Sequence, residues 1–235
     1  MIRYLTSGAK HAFGLHRPGR RLPVQADDIL LASYPHSGDV WAQFLIGNLI
    51  APDAKVRIDN VHKLVLDFDL SVKRDFDRAA RPRFIKSHSS FDPRYRRVVY
   101  LVRDPRDVAE PFSEDDFGSW GENAGSWLAA RSHDPGFFLM RYEDLVADAT
   151  RELMRLATFT GLAASPETIA QAIRRSSSQA PAKTNWRNDL TDAQVARIEA
   201  TWGDIMACLG YELVTRNSRS ALDSSLIGLL AGAVR

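Results

Sequence analysis

Three short segments of this 235-residue chain carry the side chains from which chemistry could be built. The first is Tyr34-Pro35-His36-Ser37-Gly38-Asp39-Val40-Trp41, a turn that follows the apolar run Ile29-Leu30-Leu31-Ala32 and leads into a helical pattern over 40–50. Backbone amides at a helix start have no intrahelical partner, and the helix dipole sets positive charge behind them, so such a turn can cradle a phosphate. The same pattern also describes any strand-turn-helix corner of an α/β protein. The second segment, Arg81-Pro82-Arg83-Phe84-Ile85-Lys86-Ser87-His88, puts a lysine and a histidine at the end of another apolar run. The third, Val98-Val99-Tyr100-Leu101-Val102-Arg103-Asp104-Pro105-Arg106-Asp107-Val108, is a strand ending in a basic turn. All three place polar residues at a strand's carboxyl end, the edge at which open parallel sheets bind ligands.

The elements that must position these residues follow from apolar periodicity. Strands are expected near 29–34, 83–87, 98–102 and 137–141, and their unalternated apolar character predicts burial on both faces. Leu145, Leu153, Leu156, Ala157 and Thr160 form a helical stripe that stops at Gly161. Ser165-Pro166-Glu167 restarts a helix with a cap and a first-turn proline. Thr191 and Gln194 have the spacing of a capping box, ahead of a helix whose Val195, Ile198, Trp202, Ile205 and Leu209 should be core. Stretches 67–82 and 109–126 are expected as loops over the cleft. Strands alternating with helices predict one α/β domain over 27–215, with a central parallel sheet flanked by helices. A basic lead-in (1–26) precedes it and an apolar tail (216–235) follows.

Composition narrows the function classes. A formal net charge of +2 suggests no general attraction to nucleic acid or membrane, and Arg3, Lys10, Arg17, Arg20 and Arg21 read as a solvated basic arm. Cys208 is the single cysteine, so an intrachain disulfide and a cysteine-based metal cluster are excluded. We expect it buried on a helix and the protein in the reducing cytoplasm. The N-terminus lacks the apolar core of a signal peptide, and no run approaches the roughly 20 residues of a membrane span. Leu226 to Val234, interrupted by Gly228 and Gly232, reads as a packing tail, with a peripheral lipid contact as the lesser alternative.

Taken in order, the motifs resemble those of sulfotransferases that use 3′-phosphoadenosine 5′-phosphosulfate (PAPS), nearest to the small bacterial members. The resemblance runs through the Tyr-Pro-x-Ser-Gly-x-x-Trp loop, Lys86-Ser87-His88, Val102-Arg103-Asp104-Pro105-Arg106-Asp107-Val108, Arg141-Tyr142-Glu143-Asp144-Leu145 and Asn185-Trp186-Arg187. It implies a P-loop-NTPase-like sulfotransferase fold and sulfuryl transfer from PAPS to a hydroxyl or amine of a small-molecule acceptor, leaving 3′,5′-diphosphoadenosine (PAP). No metal is implied. His88 becomes the candidate general base, since an imidazole exchanges protons near neutral pH. Lys86 and His36 become electrophilic helpers. Ser37, Gly38, Asp39, Val40 and Trp41 would surround the 5′-phosphosulfate, and Arg103 would grip the 3′-phosphate with its forked donors. Tyr142, Ser177, Trp41 and Trp186 would flank the nucleoside, while Asp104, Arg106 and Asp107 are expected to form a local turn and ion-pair network.

Departures from the family pattern concentrate on phosphate contacts. His36 replaces a loop lysine, Asp39 a polar residue and Val40 a threonine. An unscreened Asp39 carboxylate about 4 Å from a bound phosphate would cost on the order of 4 kcal/mol at an effective dielectric of about 20. Pro111, after Glu110, stands where a serine is expected, Ser178 where an aromatic is, and only Lys183 represents a basic segment before Asn185. These losses motivate a competing reading, a sulfotransferase-fold binding or scaffolding module that no longer uses PAPS. A nucleotide kinase is a weaker alternative, because no Gly-x-x-x-x-Gly-Lys-Ser/Thr loop occurs. Acceptor identity and oligomeric state are not specified by these motifs.

Overall fold

The computed structural model describes residues 24–68, 71, 73–108, 111–112, 117–180 and 185–215. The basic lead-in before residue 24, the tail after residue 215, Glu110 and Lys183 lie outside them. Five strands, β1 (Ile29–Ser33), β2 (Val65–Asp67), β3 (Phe84–Ser87), β4 (Arg97–Val102) and β5 (Phe137–Arg141), form one parallel sheet in the order β2-β3-β1-β4-β5. The chain moves from β1 toward one edge and then crosses to the other, so the order reverses about β1. That reversal opens a crevice at the carboxyl ends of β1 and its neighbours.

Register decides which side chains meet there. Ala32 of β1 is level with Ser87 of β3 and Tyr100 of β4. One step further, Ser33 and His88 come side by side. Alternation sends Leu30, Ala32, Ile85, Val98 and Tyr100 to one face, beneath α4 (Trp120–Arg131) and α9 (Asp192–Cys208). Ile29, Leu31, Phe84, Val99 and Leu101 go to the other, beneath α1 (Asp39–Ile50), α6 (Ala149–Thr160) and α7 (Pro166–Ser176). The remaining described helices are short: α2 (Val61–Leu64), α3 (Lys73–Arg78), α5 (Tyr142–Ala147) and α8 (Trp186–Asp189).

Helix ends are set by local chemistry. Ser165 caps α7 and Pro166 occupies its first position, Thr191 and Gln194 form the capping box of α9, and α6 ends at Gly161 with φ of 74°. Several expectations need correction. β2 is a fifth strand with only two apolar residues, too short for a periodic signal, and it is held by β3 alone. α3 lies inside the expected loop 67–82. α4 begins inside 109–126, where Ser119 and Glu122 form a second capping box. Gly121, Asn123 and Gly125 lower the helix propensity of that segment and hide it. The stripe from Leu145 to Thr160 is broken at Asp148, which ends α5 and caps α6. β5 is an edge strand, and only Phe138 and Met140 of its five residues are buried. Cys208 closes α9 half-buried rather than in the core.

Gly121 fixes where α4 sits. A Cβ at this position would overlap the indole of Trp202, which is buried where α9 departs from helical geometry. Gly121→Ala gains about 1 kcal/mol of helix propensity but overpacks a buried aromatic contact, which typically costs about 1–3 kcal/mol. Net destabilisation with an unchanged denaturant m value is the expected outcome of urea unfolding; a raised midpoint would show that Trp202 does not hold α4.

Candidate active site

The turn after β1 is shaped by two residues with left-handed backbones. His36 has φ of 64° and Gly38 has φ of 92°, on either side of Ser37, whose amide donates to Tyr34 O at 3.3 Å. Gly38 is required for space as well as for φ, since a Cβ there would lie 2.5 Å from Tyr142 Cδ2. Helix α1 starts one residue earlier than its apolar pattern suggests, at Asp39, and no side chain caps it. Its first-turn amides therefore have no capping partner from a side chain. Ser37 Oγ is fully buried and makes no hydrogen bond among the described residues. An uncapped helix start with a buried, unsatisfied hydroxyl is what an anion would complete.

Arg103 reaches this turn from the end of β4. Its Nη1 donates to His36 O at 3.2 Å, and its guanidinium lies 4.3 Å from the centroid of the Tyr142 ring. Tyr142, the first residue of α5, meets Trp41 edge to face at 6.2 Å. Gly38, Trp41, Tyr142 and Arg103 thus form one contiguous stack beneath the turn. Val40 is exposed on the first turn of α1, and His36 is exposed at the rim.

Lys86 points to the same face as α1 and is not a solvated strand-end lysine. Its Nζ lies 2.9 Å from Asp39 Oδ2 and 3.0 Å from Asp67 Oδ2, and all three side chains are buried. Burial would lower the Lys86 pKa, but the two carboxylates raise it above the ordinary lysine value. Burial would likewise raise the Asp39 carboxyl, but the Lys86 ammonium, with His88 beside it, holds it below the ordinary carboxylate value. Asp39 is therefore not the unscreened charge that the loop sequence suggests. Asp67 carries no motif and was invisible in the sequence.

The contacts of His88 assign its tautomer. Its Nδ1 lies 2.9 Å from Ser33 O and 3.4 Å from Ser33 Oγ; the nearer partner is a carbonyl, which can only accept, and this assigns the proton to Nδ1. In the neutral ring Nε2 is then the proton-accepting nitrogen, and it stands 3.8 Å from Asp39 Oδ2. Phe117 meets the ring edge to face at 5.5 Å.

Trp186 is brought to the turn that follows Arg103. Its amide donates to Asp107 Oδ1 at 2.9 Å, and its ring centroid lies 4.0 Å from the Arg106 guanidinium. Arg106 in turn is paired with Asp104 and with Glu199 of α9, so this segment forms the expected turn and ion-pair network. Pro111 offers its carbonyl to the amide of Trp120. Ser177 lies exposed on the single 3-10 turn that follows α7 and packs on α1, its hydroxyl donating to Arg174 O at 2.9 Å.

An open parallel sheet with helices on both faces, gathering an uncapped helix start, an imidazole and a guanidinium at one edge, is an α/β domain of the doubly wound class. Within that class the chain belongs to the sulfotransferase domain family, whose profile matches residues 26–110 and 113–203. It is 27% identical over 196 residues to bovine sulfotransferase 1E1, spanning 66% of this chain and 66% of that protein, about two thirds of the relative's length. The fold is similar to that of mouse sulfotransferase SULT7A1 complexed with PAP, with a TM-score of 0.60, 18% identity and 88% of both chains covered. It is also similar to retinol dehydratase in complex with retinol and PAP, with a TM-score of 0.54, 17% identity and 83% and 84% of the two chains covered.

The charge cluster has a testable pH signature. Because the folded value of Asp39 lies below its unfolded value, the stabilisation is complete above the unfolded carboxylate pKa of about 3.9 and is lost as pH falls through the folded one. Asp39→Asn should destabilise the protein at pH 7 by roughly 1–3 kcal/mol, less than an orphaned buried charge costs, because Lys86 keeps Asp67. The difference from wild type should shrink as urea unfolding is repeated toward about pH 3. A difference that grows on acidification contradicts the pairing.

Proposed function

We propose that the protein transfers a sulfuryl group from PAPS to a hydroxyl or amine of a small-molecule acceptor. The observation that carries this reading is His88, fixed as a base-ready tautomer at the same sheet edge as a turn with an unsatisfied buried hydroxyl. The residues present fit the nucleotide: the Ser37 hydroxyl and the amides from Gly38 to Trp41 would take the 5′-phosphosulfate, with Gly38 letting the turn close onto the Tyr142 ring. Arg103 would take the 3′-phosphate, and Trp41, Tyr142, Ser177 and Trp186 would border the nucleoside. Asp39 opposes an anion, but the Lys86 ammonium, 2.9 Å away and shared with Asp67, screens it.

When bound, PAPS supplies the sulfuryl group and a phosphate leaving group, which departs as PAP. His88 Nε2 takes the proton of the acceptor hydroxyl as the new O–S bond forms, while the Nδ1–H bond to Ser33 O keeps the ring aligned. The imidazolium so formed lies beside the Asp39 carboxylate, which stabilises it. Lys86 offsets one of the two buried carboxylates beside the approaching sulfuryl group, and His36 at the rim would meet phosphate oxygen from outside. The lone Cys208 accords with a reducing, cytoplasmic setting.

A second reading, a binding module without PAPS chemistry, is favoured by one observation: Asp39 and Asp67 together outweigh Lys86 by one negative charge beside the turn. Assay of the wild-type protein with radiolabelled PAPS against a panel of phenols, alcohols and amines separates the two. Transfer is expected, with His88→Ala lowering turnover by at least about a hundredfold while PAP affinity stays within about twofold. Undiminished turnover in His88→Ala removes the base, and no transfer by wild type to any acceptor favours the second reading.

A further inference from the structure

Helix α4 reaches the site with side chains that no chemistry above uses. Trp120, Asn123 and Trp127, spaced three and four apart, share one face of the helix. Trp120 Nε1 donates to Arg103 O at 3.1 Å, Asn123 Nδ2 to His88 O at 2.8 Å, and Trp127 Nε1 to Ser89 O at 3.1 Å. Ser126 Oγ accepts from the Phe91 amide at 2.9 Å. One rod thus grips the segments leaving both β3 and β4.

We propose that Asn123 is a positioning residue for His88, oriented in turn by Tyr100 of β4. This rests on the reading of His88 as base. Asn123 is fully buried, and its amide orientation is not arbitrary: His88 O can only accept, so Nδ2 faces it and Oδ1 faces the Tyr100 hydroxyl, which donates at 3.0 Å. Burial pushes the Tyr100 phenol well above its ordinary value, so it stays a donor throughout the working range. Three bonds then run in one direction: Tyr100 to Asn123, Asn123 to His88 O, and His88 Nδ1 to Ser33 O. The first and last partners sit on adjacent strands, with Tyr100 level with Ala32 and Ser33 next to it. The imidazole is therefore referenced to the sheet centre through both its backbone and its ring, although His88 itself lies just past the end of β3.

Placement errors near 1 Å can cost about a hundredfold in rate. Asn123→Leu, close in shape and unable to hydrogen bond, should lower kcat by about ten- to a hundredfold and leave the KM for PAPS within about threefold, because Arg103 is held separately by Trp120. The His88 ring should also lose its single Nδ1–H tautomer signature in 15N imidazole spectra, assigned by difference from His88→Ala. Tyr100→Phe should shift both readouts the same way by less, and it decides the matter if Asn123→Leu does not fold. Unchanged kcat and an unchanged tautomer signature in a folded variant overturn the proposal. The spectra need no turnover, so a wild-type protein without transfer activity would defeat the base assignment while the spectra alone judged the positioning.

Discussion

The site depends on the Lys86 ammonium, buried between Asp39 and Asp67. These three residues come from β3, the first turn of α1 and the end of β2, so one charge ties the turn to two strands. Loss of Lys86 would leave two buried carboxylates without their cation, a change that typically costs about 3–5 kcal/mol, whereas loss of one carboxylate leaves Lys86 paired with the other. A carboxylate at the start of α1 is also favoured by the helix dipole. The result is a helix-start turn that carries its own anion and its own counter-ion.

Around that cluster, the turns are tied to the sheet and to the long helices by specific contacts. Arg103 is clasped between His36 O and the Tyr142 ring, and its carbonyl is held by Trp120. Trp186 rides on Arg106, which Glu199 anchors to α9. Glu199 also accepts from the amides of Val214 and Thr215, so the chain leaving α9 is fastened to the same network. The geometry needed for chemistry is thus set by the sheet and by α4 and α9, and the turns inherit it.

Much of this was legible in the sequence because it is local. β1, β3, β4 and β5 announced themselves as apolar runs, and Ser165, Thr191 and Gly161 marked helix ends through their own backbone chemistry. The turn, Lys86, His88 and Arg103 followed from residue types at strand ends. What was not legible is long-range. Nothing near Asp39 says that Lys86 will neutralise it, and Asp67 ends a strand of three residues. The start of α4 fell within the expected loop 109–126, where Gly121 and Asn123 are poor helix formers, yet those two residues make contacts: one admits the Trp202 indole and the other holds His88 and Tyr100.

The central proposal is that the turn still binds the nucleotide although it contains Asp39, because Lys86 screens that charge from 2.9 Å and Arg103 stands beside the turn. Calorimetric titration with PAP between pH 6 and 8 tests this most directly, without an acceptor. Saturable one-to-one binding in the micromolar range, lost in Arg103→Ala, is the result this account predicts. No saturable binding by the wild-type protein, or binding undiminished in Arg103→Ala, would contradict it.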